Sequence, residues 1–183
     1  MKTVMVIALL ALAPITSAQV AAPAINDEDL EKLWFLFVGV KETQNDRGGS
    51  QGFLQQSGIS DDGAEEFGRY ALRSLEDMDR AQTIQAGELC AKKEELKASR
   101  NAFADHLERN RNEFKATRIS LVQNLGLVLS EDDEQKLRTW ALAQPSPKLV
   151  SPPMDIVDAI RAGMTDHAKG IENACKKAVE APQ

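Results

Sequence analysis

The chain has 183 residues, 43% of them hydrophobic and 27% charged, with 28 acidic against 22 basic side chains and a formal net charge of −6. That balance disfavours a nucleic-acid backbone or an anionic membrane surface as partner, because both repel an acidic protein. The length suits one domain with a real core and is short for two.

The first element is a basic residue, Lys2, followed by an apolar run over residues 4–13 that is too short to span a bilayer. Pro14 ends the run, and Thr16-Ser17-Ala18 places small residues where a signal peptidase reads them. The pattern predicts a signal peptide over 1–18, a flexible leader over 19–25 and a single helical domain over 26–180. Loss of Lys2 would take the mature net charge to −7. No later stretch approaches the length of a membrane span, so no transmembrane segment is expected after cleavage. The expected location is the periplasm or the medium.

Asn26 or Asp27 can cap a first helix, with Glu28 and Asp29 beside its positive end, running to about Glu42. Leu30, Leu33, Trp34, Phe37 and Val38 recur at helical spacing, and Phe35 and Leu36 widen the apolar surface beyond one stripe. The block Trp34 to Val40 could be read as a strand, but nothing pairs with it. Residues 43–59 hold Gly48, Gly49, Gly52 and Gly58 among polar residues and read as a loop. Ser60 then opens a second helix, with Asp61, Asp62, Glu65 and Glu66 near its start and Phe67, Ala71, Leu75 and Met78 on its buried face.

The apolar stripe continues through Leu89, Leu96, Phe103, Leu107, Phe114, Leu121 and Leu125. One helix over 61–125 would be about 95 Å long at 1.5 Å per residue, too long for a domain of this size. A central helical hairpin is expected instead, turning at Ser99-Arg100-Asn101 or at 110–112. Gly126 ends this region, and Ser130 with Asp133 opens another helix that carries Leu137, Trp140 and Ala141 inward and stops before Pro145. Pro145, Pro147, Pro152 and Pro153 make 144–153 an extended connector. A last helix from Pro153 to about Val179 carries Ile156, Val157, Ile160, Met164, Ile171 and Cys175. The expected fold is all-α, an irregular bundle of about five helices.

Cys90 and Cys175 are the two cysteines of the chain. In an oxidising compartment they are expected to pair, which sets the last helix beside the second with Cα atoms within about 7 Å. A redox or metal role is the alternative, but they form no C-x-x-C and no ligand-spaced histidines accompany them.

Gly48-Gly49-Ser50-Gln51-Gly52 matches the G-x-S-x-G pattern of serine hydrolases without the strand that such a nucleophile turn requires. The same glycines lack the Lys-Ser or Lys-Thr ending of a phosphate loop, and no haem, zinc or calcium motif is found, so no cofactor is assigned. Asp105-His106 and Asp166-His167 could make a two-histidine, two-carboxylate metal site only if the fold joined them. Arg111, Lys115 and Arg118 line one side of their helix, as a basic stripe for an acidic partner or as a solvated face.

These features favour an exported interaction module whose partner is another envelope or secreted protein. The alternatives are a small-ligand or metal carrier using Trp34, Phe35, Phe37 and Trp140 around a cavity, and an enzyme of undetermined class. Oligomeric state has no signature in the sequence.

Overall fold

The computed structural model describes residues 25–145 and 155–180. Its helices are α1 (Asp27–Thr43), α2 (Gly49–Gln55), α3 (Asp61–Ala91), α4 (Lys93–Ala98), α5 (Arg100–Gln123), α6 (Glu131–Ala143), α7 (Ile156–Arg161) and α8 (His167–Glu180), with a 3-10 turn at Asn124–Leu127. The fold is all-α, as expected. The signal peptide, most of the leader and the core of the proline connector lie outside the described residues. Ile25, assigned by sequence to the leader, packs against the core.

Small polar residues start the long helices. The side chains of Asn26, Ser60, Ser99 and Ser130 accept the free N–H groups of Asp29, Gly63, Ala102 and Asp133 respectively. Ser99 therefore supplies the predicted turn. The chain already leaves α3 at Lys92, however, and makes the short α4 before Ser99 redirects it.

Two expectations are corrected. The glycine-rich segment is not all loop, because Phe53 and Leu54 in α2 dock on α1 and Leu54 is fully buried. Burial of these two side chains outweighs the poor helix propensity of their neighbours. The last helix is broken into α7 and α8. Gly163 stands at the break with φ +74°, a conformation that ends a helix and favours glycine. Ile156, at the start of α7, and Met164, in the turn after Gly163, were expected inside and are 56% and 68% exposed, while Val157, Ile160 and Ile171 are buried.

The apolar residues form two clusters. The first gathers Leu30, Leu33, Phe37 and Val40 of α1 with Leu54, Phe67, Val122, Leu125 and Leu137. Helix α1 lies at its centre, packed by α2, α3, α5 and α6, which accounts for its wide apolar surface. The second cluster joins Leu89, Leu96 and Phe103 to Val157, Ile160 and Ile171, and the Cys90–Cys175 disulfide lies on its edge with a Cα–Cα distance of 5.4 Å. Helices α3 and α5 run in opposite directions between the clusters as the two arms of the central hairpin.

Candidate functional site

Between the clusters the two arms stand apart. Residues 79–84 of α3 and 111–113 of α5 are exposed, so this waist has no core of its own. Two polar links cross it: the Tyr70 hydroxyl donates to the Leu121 carbonyl at 3.0 Å, and the Gln85 amide donates to Glu113 Oε2 at 3.1 Å. They bracket an open groove of about 290 Å³ lined by Ser74, Asp77, Met78, Ala81, Gln85, Glu113, Phe114, Thr117 and Leu121. Its floor is apolar, and Met78 supplies an unbranched side chain able to repack around a guest. At this volume it can take one large side chain or a small ligand.

The sequence singled out Met78, Phe114 and Leu121 only as members of a buried stripe. Their spacing could not tell a packed interface from an unfilled one, because both need apolar residues on facing sides. The signal was in the neighbours: Asp79, Arg80, Gln82 and Thr83 on one arm and Arg109, Arg111 and Asn112 on the other leave no second apolar row to bring the arms together.

The other sequence candidates resolve into structural roles. Ser50 sits within α2, and its hydroxyl donates to the Val40 carbonyl at 3.0 Å, tying α2 to the last turn of α1. The aromatic quartet closes on itself and its neighbours instead of around a cavity. Trp34 stacks on Phe37 at 4.8 Å, Phe53 meets Phe35 and Trp140 edge-on, and Phe37 packs against Phe67. Arg111 pairs with Asp155, Lys115 with Asp27 at 2.6 Å, and Arg118 with Glu31 at 2.8 Å. The basic stripe thus clamps α5 to α7 and to α1, and Arg118 also lies over the Trp34 ring at 4.9 Å.

The two aspartate–histidine pairs do not converge. Asp105 accepts from Arg161 at 2.8 Å, and Asp166 caps α8 by accepting the Lys169 N–H at 3.0 Å. His167 donates from Nε2 to the Lys97 carbonyl at 3.0 Å. His106 is buried, and Arg109 donates to its Nδ1 at 3.0 Å. The Asn110 amide nitrogen lies 3.3 Å from Nε2, so both ring nitrogens face side chains of the same helix. Burial, with help from the Arg109 charge, holds the His106 pKa below its ordinary value. Among the described residues no group of three histidine, cysteine, aspartate or glutamate side chains is arranged to hold a metal, and no helix is long and apolar enough to cross a membrane.

Sequence reasoning read Asp133 only as part of a cap, yet it joins two helix starts. Ser60 donates to it from its backbone N–H at 2.8 Å and from its hydroxyl at 2.7 Å, and the Ser130 hydroxyl donates at 3.1 Å. These bonds, the Ser60 N–H first, hold its carboxyl below the usual carboxylate range. One carboxylate therefore anchors the N-termini of α3 and α6 together. No protein-family model, no curated protein and no solved structure matches this chain.

Proposed function

We propose that the protein is an exported interaction module that receives an apolar side chain of another envelope or secreted protein in the groove between α3 and α5. The observation that carries this reading is the waist itself. Two long helices hold Met78, Ala81, Phe114 and Leu121 around unfilled space, although the same fold buries apolar side chains closely at both ends. An open apolar groove leaves surface in water that a fitting apolar side chain would cover. Polar links at both ends of the groove keep the arms from closing or splaying.

Export is supported by the pattern of residues 1–18 and by the disulfide, which is at home in an oxidising compartment. Native mass spectrometry of protein from an oxidising envelope tests it: the expected species starts at Gln19 and is two hydrogens lighter than the reduced chain. A chain retaining residues 1–18 would sink the export reading.

The docking reading is tested by placing a photoreactive side chain at Thr117, in the groove, and separately at Asp46, which does not line it. A discrete adduct in the envelope from Thr117, absent from Asp46 and lost when Ala81→Trp plugs the groove, is the expected result. Equal labelling from both positions would remove the groove from consideration. A carrier of small molecules could use the same space, and extra mass surviving desalting in the native spectrum would put that alternative first.

A further inference from the structure

The charges around the groove narrow the class of its occupant. None of its lining residues is lysine or arginine among the described residues, and carboxylates face it from both arms, Asp77 on α3 and Glu113 on α5. The cations of this part of α5 are committed elsewhere. Arg111 pairs with Asp155 on the α7 side, and Lys115 and Arg118 pair with Asp27 and Glu31 on α1. On α3, Arg80 is itself 74% exposed and meets Asp77 at 3.5 Å, and Arg69 and Arg73 share an outer cleft with Asp77; these are surface contacts that a better-placed cation can displace. The groove therefore combines an apolar floor with a carboxylate on each rim and no cation in its lining, the neighbouring Lys41 and Arg80 being paired with Asp79 and Asp77.

We propose that the occupant is a cationic amphipathic segment of a partner protein, presenting one apolar anchor flanked by lysine or arginine at helical spacing; this rests on the groove being the docking surface. The lining stretch of α3, from Ser74 to Gln85, runs about 16 Å, enough for three turns of a guest helix. An apolar side chain at position i fills the space beside Met78 and Phe114. Cations at i−4 or i−3 and i+3 or i+4 lie on the same face of the guest and reach Asp77 and Glu113. A second copy of this chain is disfavoured, because its net charge of −6 has the same sign as the rims.

The test uses the full disulfide-bonded chain and two fluorescent probes: an amphipathic leucine/lysine peptide of about four helical turns, and a twin with every lysine replaced by glutamate. Anisotropy titrations should show the lysine peptide binding at least about tenfold more tightly than its twin. Asp77→Lys with Glu113→Lys should cut that preference about tenfold or reverse it, and because Glu113→Lys also removes the acceptor of the Gln85 amide, Asp77→Asn with Glu113→Gln, which keeps an oxygen for that bond, should cut it in the same direction. Ala81→Trp should abolish binding of the lysine peptide.

Equal binding of the two peptides, or indifference to the double charge reversal, would overturn the cationic occupant and leave the groove itself untouched. Lysine-peptide binding that survives Ala81→Trp would place it elsewhere on the acidic surface and overturn the proposal too. If neither peptide binds while the Thr117 photo-adduct still depends on Ala81, the docking reading stands and the charge class falls. If sedimentation shows a dimer that Ala81→Trp dissolves, the occupant is a second copy.

Discussion

Asp133 carries more of the architecture than its place in a surface cap suggests. Its carboxylate accepts from the Ser60 N–H and hydroxyl and from the Ser130 hydroxyl, while Ser60 itself caps α3 through the Gly63 N–H. A side chain at Gly63 would collide with that carboxylate, so the close approach of the two helix starts needs glycine there. Asp133→Ala should therefore cost about 2 kcal/mol, more than one cap, because it removes the partner of the Ser60 N–H and hydroxyl together with the link to Ser130. Urea denaturation measures it, and a loss no larger than that of an exposed aspartate would show that the carboxylate joins nothing. A lowered native pKa makes this stabilisation complete above about pH 4 and lost as pH falls through the native value. His106 acts with the same sign, in a higher pH window. Its pKa is lowered in the native state, so the unfolded chain takes up the proton first, from about pH 6.5 downward. Its contribution is complete above that pH and fades below it. The urea midpoint should fall between pH 7 and 5.5, and His106→Gln, which can still accept from Arg109, should fall less steeply. Parallel slopes would remove His106 from the account.

At the scale of elements, what was legible in the sequence follows from whether the deciding interaction is local. Caps are local, so Asn26, Ser60 and Ser130 could be read directly, and Ser99 was identifiable as a turn. Helix α2 was not legible, because docking of Phe53 and Leu54 on α1 forms it, against a local sequence rich in glycine. The break between α7 and α8 left a readable trace in Gly163 and Asp166. Asp166 had been weighed as a metal ligand beside His167, which hid its commoner use as a cap. The groove was not legible at all, since an apolar stripe does not reveal whether the facing arm closes on it. Gly163 also allows a test at this scale. Its φ of +74° strains any other residue, and a side chain there would run into the Arg100 guanidinium. Gly163→Val should cost about 2 to 3 kcal/mol and displace α8 from α3, visible as faster hydrogen exchange in 167–176. Unchanged exchange there would mean that the break is not what positions α8.

For the whole molecule, the arrangement of two clusters on a shared pair of helices makes the disulfide consequential. The first cluster is the larger and encloses α1 on several sides, whereas the second rests on Leu89, Leu96, Phe103, Ala104, Val157, Ile160 and Ile171. A small core of that kind needs a covalent staple. The Cys90–Cys175 bond spans a sequence separation of 85 and ties α8 to the end of α3. By loop-closure entropy it stabilises the folded chain by about 4 to 5 kcal/mol. Cys90→Ser with Cys175→Ser should therefore not weaken the molecule evenly. The waist has no core through which the clusters could share their stability, so the second should melt first and the first should persist as a helical remnant around α1. Calorimetry of the double variant should show two transitions where the oxidised protein shows one, and hydrogen exchange should quicken in α7 and α8 while Leu33, Leu36 and Phe37 stay protected. A single transition at an unchanged midpoint would mean that packing alone holds the second cluster. The remnant also bears on the groove. Leu121 packs against the cluster that survives, whereas Gln85 lies on α3 one turn before Leu89 of the cluster that melts, so the reduced form should lose docking before it loses most of its helix.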